Sequence, residues 1–178
     1  MRMDTNTDIP EEHGIPMAEQ TGLKRIVVRL DFVEFPKRHT CDGEGVSPRL
    51  IIEGMEAPSI ALIVHNPYEE GCSFSPWCAW NIEPLRFSDG TAVIPEGIAP
   101  EPEVSFPVRM VQGRNDYGRI GYQGPCPPAG ETHRYYFRIY GLDGDLPLPP
   151  GSVQHELVAA MRGHGLEYGE TVAMYTRT

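Results

Sequence analysis

The sequence predicts an all-β domain, mainly an antiparallel β-sandwich, closed by a short C-terminal helix. Three observations carry that prediction. Eighteen prolines and nineteen glycines make up about a fifth of the 178 residues, too many helix breakers for a bundle. They lie scattered between short apolar runs, which is how a sandwich or barrel with many turns reads in sequence. One late segment carries a helical period, so the pattern favours an antiparallel sheet over alternating βαβ units.

Taken in order, residues 1–22 read as a flexible N-terminal arm, with Pro10, Gly14, Pro16 and Gly22 and no apolar period. Residues 23–178 form the folded domain. Residues 23–35 (LKRIVVRLDFVEF) are rich in β-branched side chains and partly alternate, giving one strand or two in sequence. Residues 36–50 have the Gly, Pro, Ser and Asp of a long ordered loop. Residues 59–65 (SIALIVH) are an unbroken apolar run of strand length, expected to be buried on both faces. The run stops at Asn66-Pro67, where proline removes a ladder donor. Residues 77–82 (WCAWNI) are a second buried strand.

From Glu83 to Asn115, Pro84, Pro95, Pro100, Pro102 and Pro107 keep any regular element short. Residues 134–142 (RYYFRIYGL) alternate with aromatic enrichment and read as a strand. Past the prolines at 147, 149 and 150, Ser152 is placed to cap a helix over 153–162. Val153, Leu157 and Met161 share one face of that helix, and Gly163 or Gly165 ends it. Residues 170–178 fit a closing strand. The total is six to nine short strands and one helix.

The formal charge is −10, from 25 acidic against 15 basic side chains. A polyanion is repelled at long range, which disfavours nucleic acid and acidic membrane surfaces as partners. No run approaches 18 apolar residues, so no membrane insertion is expected. The polar start has no apolar stretch of signal-peptide type, so the expected location is cytoplasmic. Cys41, Cys72, Cys78 and Cys126 include no CxxC pair, and in a reducing compartment they are expected to be free thiols. The six histidines are dispersed, without the spacing of a metal site. No metal or cofactor is expected.

Residues 113–143 (GRNDYGRIGYQGPCPPAGETHRYYFRIYGLD) resemble the signature region of the phosphatidylethanolamine-binding protein (PEBP) family, in its bacterial and archaeal Raf-kinase-inhibitor-like branch. Three further stretches agree in order and spacing: KRHTCDGEGVSPRL, ALIVHNPYEEG with WCAWNIE, and LPPGSVQHELVAAMRGHGLEYGETVAMYTR. The resemblance spans about residues 36–178. It implies a sandwich of antiparallel sheets with a ligand pocket at one end that binds phosphate, acetate or phosphorylated head groups. It implies a regulatory role, as a kinase modulator or protease inhibitor, and no catalytic residues. It also implies a homodimer.

The same resemblance assigns ligand-binding positions. Gly124, Pro125 and Pro127 form a rim in which glycine admits a close approach and prolines stiffen the loop. His133 and Tyr135 are two residues apart, so both face one side of a regular strand and could donate to an anion. On the residues alone, the PCPP run is a stiff turn and His133 a structural histidine. Asn66 and Tyr68 stand where the family's DPDAP aspartates belong, and Pro76 where a histidine precedes Trp77. Phe74 and Tyr68 make that half more aromatic. The expected pocket is therefore altered, reshaped for a neutral or larger ligand or decayed while the sandwich persists. The competing reading is a protein-interaction module, a protease or kinase inhibitor acting through loops 66–76 and 83–115. Asp42 with Glu44 reads as an Asx turn, Ser47 and Ser75 lack a nucleophile-elbow setting, His155 and His164 read as solvent-exposed or helix-end residues, and Glu167 and Glu170 read as a solvated edge.

Overall fold

The computed structural model describes residues 22–67 and 74–178. The expected arm, Tyr68 and Cys72 therefore lie outside the described residues. Among the described residues the strands are β1 (Lys24–Arg25), β2 (Val27–Arg29), β3 (Leu50–Glu53), β4 (Ser59–Asn66), β5 (Phe74–Glu83), β6 (Leu85–Arg86), β7 (Thr91–Ile94), β8 (Glu103–Val104), β9 (Arg109–Gln112), β10 (Thr132–Leu142) and β11 (Gly165–Thr176), with one 3-10 turn (Lys37–His39) and one α-helix, α1 (Gln154–Met161), before β11. That is more strands than the sequence suggested. The excess comes from two-residue strands such as β6 and β8, too short to leave a periodic signature.

Two sheets make the sandwich. The larger has the order β1-β11-β10-β4-β5-β9-β8 and the smaller β2-β3-β7-β6. All pairings are antiparallel except β1 on β11. Strand β4 is buried at every position, and its alternation explains why. Ile60, Leu62 and Val64 face the core between the sheets, while Ala61 and Ile63 face a second core beneath α1. A strand covered on both faces cannot show polar alternation, which is why it reads as an unbroken apolar run.

Strand β10 follows the same rule, with Tyr135, Phe137 and Ile139 inward and Tyr140 and Leu142 toward the helix. Strand β5 begins likewise, with Trp77 and Ala79 inward and Cys78 and Trp80 outward. Then the parity slips: Ile82 also faces inward. The register shifts between Trp80 and Glu83, and Asn81 sits there with φ 51°, a left-handed bulge that adds one residue. The Asn81 side chain is fixed by Leu146, accepting its N–H at 2.7 Å and donating to its carbonyl at 3.0 Å.

Helix α1 closes the outer face with Leu157 and Met161. It starts one residue later than expected, and Ser152 is not its cap. The Ser152 hydroxyl donates to the Pro149 carbonyl at 2.7 Å, and the Glu156 carboxylate accepts the Val153 N–H at 2.9 Å. Gly163, with φ 80°, ends it as expected.

Two expectations are overturned. Glu167 is not part of a solvated edge, whereas Glu170 is exposed as expected. Glu167 is 3% exposed and accepts the backbone N–H groups of Glu56 and Ala57 at 2.9 and 3.1 Å, with Lys24 at 3.6 Å. Glu170 accepts from Arg138 Nε at 2.7 Å and from the Tyr168 hydroxyl at 3.0 Å. The Glu167 carboxylate is an internal anchor, whereas Glu170 pairs with the buried Arg138 from an exposed position.

The cysteines are the second correction. Cys41 and Cys126 form a disulfide across 85 residues of sequence, while Cys78 is a buried thiol. Such a long separation gives no local motif; only the fold brings the 36–49 loop against the 122–128 loop. The turn around Cys41 also differs from expectation. Thr40 Oγ1, not an Asx side chain, accepts the Asp42 N–H at 3.2 Å, and the Asp42 carboxylate reaches β11 to accept from Tyr175 and Arg177.

Candidate functional site

At one end of the larger sheet, β10, β4 and β5 finish side by side. Tyr136 pairs with His65, and Asn66 with Phe74. This register sets the end of β4, with Asn66, between His133 and Tyr135 on one side and Phe74 and Pro76 on the other. The sequence-assigned residues on described segments therefore converge, although they come from three strands and one loop.

The centre is a buried polar chain. Asn66 Nδ2 and His133 Nδ1 are 3.1 Å apart, and His133 Nε2 lies 2.8 Å from Glu131 Oε2. An amide nitrogen can only donate, so Nδ1 is the acceptor and the neutral ring carries its proton on Nε2. That N–H donates to the Glu131 carboxylate. The His133 side chain is 6% exposed and that of Glu131 43%, so the chain runs from the protein interior to its mouth.

Tyr135 is buried beside it. Burial pushes its hydroxyl well above the ordinary tyrosine range, as does the neighbouring Tyr117, while a backbone hydrogen bond from Cys126 opposes them. The phenol stays protonated at neutral pH and remains a donor. Tyr122 is raised as well, again by burial first, and its hydroxyl donates to the His39 carbonyl at 2.6 Å.

The rim is held from below. Gly124 packs so closely on the 39–40 backbone that a Cβ there would lie 2.4 Å from the His39 oxygen, and only glycine fits. The Cys41 N–H donates to the Pro125 carbonyl at 3.1 Å, and the Gln123 N–H to the Pro76 carbonyl at 3.1 Å. The disulfide adds a covalent tie at Cys126. Pro76 thus anchors the rim through its carbonyl, without a titratable side chain. Phe74 packs edge-on against Tyr117 at 4.6 Å, and Tyr122 on Trp77 at 5.5 Å. These ring pairs make this edge aromatic among the described residues; Tyr68 lies outside them.

Glu131 and Asp116 were not singled out from the sequence. Asp116 accepts the Ser75 N–H, and its own N–H donates to the Ser75 carbonyl at 2.9 Å. For Glu131 a signal existed: it precedes His133 by two residues, so an extended chain puts both on one face. Asp116 had none, because it is brought to β5 by the turn that Asn115 organises with three side-chain hydrogen bonds. Arg134 is exposed and points away from the site. A separate groove of about 380 Å³ runs along β8 and β9, lined by Asn81, Glu103, Val104, Ser105, Arg109, Met110 and Val111. It shares no residue with the His133 site.

Comparison with known proteins agrees with this fold. The family model described as phosphatidylethanolamine-binding protein matches residues 30–176. A UPF0098 protein of Pyrococcus abyssi is 47% identical over 145 residues, covering 80% of this chain and 78% of that one. The crystal structure of a putative PEBP homolog from Chlamydia trachomatis superposes with a TM-score of 0.71 at 30% identity, covering 87% of this chain and 99% of that one. Escherichia coli YbcL, described as a member of the mammalian PEBP family, gives a TM-score of 0.73 at 23% identity, with 86% and 99% covered; at that identity the likeness speaks for the fold.

Proposed function

The chain belongs to the phosphatidylethanolamine-binding protein family, and we propose that it is a small-ligand-binding regulatory protein whose pocket is altered. One observation carries the reading: the buried Asn66–His133–Glu131 chain opens at the end of a rigid, cross-braced rim. A buried polar network costs stability unless it is satisfied, and here it leads to a half-exposed carboxylate rather than into the core. Asn66 stands beside the histidine without a charge, so the carboxylate paired with His133 is Glu131, on the mouth side. Phosphate is expected to bind weakly.

We read the protein as a binding protein, not an enzyme. What supports this is the use of its serines: Ser75 donates to the Val64 carbonyl at 2.7 Å, and Ser47 accepts the Ile98 N–H at 2.9 Å. Neither hydroxyl is turned toward a base. Among the described residues no helix is long and apolar enough to cross a membrane, and a cytoplasmic location is part of the proposal. Disulfides persist in oxidising compartments and also inside hyperthermophilic cells, so the Cys41–Cys126 bond is compatible with either setting.

Calorimetric titration with phosphate, ethanolamine and O-phosphoethanolamine tests the reading. Saturable binding that is lost in His133→Ala supports it. Binding unchanged by His133→Ala would remove the pocket from the account. A second reading, a protease or kinase inhibitor acting through loops, draws on Phe106, which is 84% exposed between β8 and β9. It predicts inhibition of a chymotrypsin-like protease that Phe106→Ala abolishes; no inhibition across a protease and kinase panel would remove it.

A further inference from the structure

We propose that Glu131 is a built-in anion that makes this pocket select against phosphate and other external anions. The inference rests on the pocket reading above and deepens it. A phosphate entering this site would use the one His133 N–H that faces the mouth, at Nε2. Glu131 Oε2 already stands 2.8 Å from that nitrogen. The opposite nitrogen is turned inward to Asn66, so rotating the ring offers no second donor without breaking that contact.

The backbone holds the start of the Glu131 side chain in place. The Gly130 N–H donates to the Arg177 carbonyl at 2.7 Å, and the Arg177 N–H to the Glu131 carbonyl at 3.1 Å. The Glu131 N–H closes a turn onto the Pro128 carbonyl at 3.1 Å. These bonds hold the Glu131 Cα between the rim and β11, with its side chain over His133. The Glu131 Cα is thus already ordered, and only the side chain loses freedom when its carboxylate engages the imidazole.

The surrounding charge does not offset it. Arg177 reaches the rim, with Nη1 3.4 Å from the Pro127 carbonyl, and its Nε is engaged by Asp42 at 3.3 Å. A phosphate, with a charge of about −1.5 to −2 at neutral pH, would have to displace the Glu131 carboxylate from His133. A ligand bearing hydrogen-bond donors meets the reverse situation: the half-exposed Glu131 is an acceptor for it.

Glu131→Gln removes the charge and keeps a side-chain acceptor for His133; Glu131→Ala removes both. Inorganic phosphate is titrated into wild type, each variant, and the Glu131→Gln/His133→Ala pair, with the His133 and Tyr135 NMR signals as the readout and thermal melts checking the fold. The expected result is a gain in phosphate affinity of about tenfold or more in Glu131→Gln, the size of a lost charge–charge contact in a partly solvated site. The gain should disappear when His133 is also replaced. Equal affinity in wild type and both Glu131 variants would overturn the role of Glu131 and leave the pocket standing. If phosphate moves no site signal in any of them, and ethanolamine moves none in wild type, the pocket reading falls and this inference with it.

Discussion

Breaking the Cys41–Cys126 disulfide is expected to destabilise the fold measurably while leaving the sheets intact. The bond closes a loop across 85 residues. In the chain-entropy treatment such a loop restricts the unfolded state by about 15 cal/mol/K, or about 4.6 kcal/mol at 25 °C. Part of that is lost when the reduced chain relaxes locally, so the measured cost should lie between about 2 and 4.5 kcal/mol. For a domain of this size the melting temperature would fall by about 5–15 °C. The assay is urea unfolding of the oxidised protein and of the Cys41→Ser/Cys126→Ser variant, followed by circular dichroism. Using the variant avoids comparing two redox buffers. The native far-ultraviolet spectrum should be unchanged, because no strand pairing depends on the bond. A difference below about 0.5 kcal/mol would refute the reasoning, since the loop-closure argument leaves no route to so small a value.

Three other outcomes follow from the same contacts. Glu167→Ala leaves the Glu56 and Ala57 N–H groups without their acceptor and should cost about 2–4 kcal/mol in urea unfolding; a loss like that of an exposed glutamate would contradict the anchoring role. The Cys78 thiol is pushed up to about 12, by burial first and by the Asp116 charge second. It should resist iodoacetamide at pH 8 in the folded protein and react on unfolding, as peptide mapping would read; because the unfolded thiol ionises from about 9.0, its stability contribution is present below that pH and fades as pH rises toward 12. The Asp42 carboxyl is held below its ordinary value of 3.8, chiefly by the Tyr175 hydroxyl and then by Arg177. Its contribution is therefore present above pH 3.8 and lost as pH falls through the lower folded value, and Tyr175→Phe should move the Asp42 carbon-detected titration upward; an unmoved titration would refute the link.

The long strands were legible because their neighbours on both sides are apolar, which leaves β4 and β10 as apolar or aromatic runs that no loop would carry. The helix was legible from Leu157 and Met161, and its end from Gly163. What escaped was whatever depends on contacts far apart in sequence. The Asn81 bulge reverses the facing of Ile82, yet asparagine in WCAWNI carries no mark of a positive φ. Glu167 looks like any surface acid until the Glu56 and Ala57 N–H groups and Lys24 close on it. The disulfide lay hidden because neither cysteine has a near partner. At the site, the rim, Asn66, His133 and Tyr135 came from the family resemblance, and the register of β4 on β5 and β10 explains why they meet. Glu131 could have been read from its i−2 position; Asp116 could not, because a turn delivers it.

The central claim is that the end of the sandwich at His133 is a ligand site, and residue-resolved NMR tests it most directly. Isotope-labelled protein is titrated with O-phosphoethanolamine, which carries both an anionic and a cationic end. The account predicts saturable shifts centred on Gly124, His133 and Tyr135, with the Asn66 side-chain amide moving in step, since it donates to the same ring. Shifts confined to the β8–β9 groove, or no saturable shift at these residues up to the solubility limit, would contradict it.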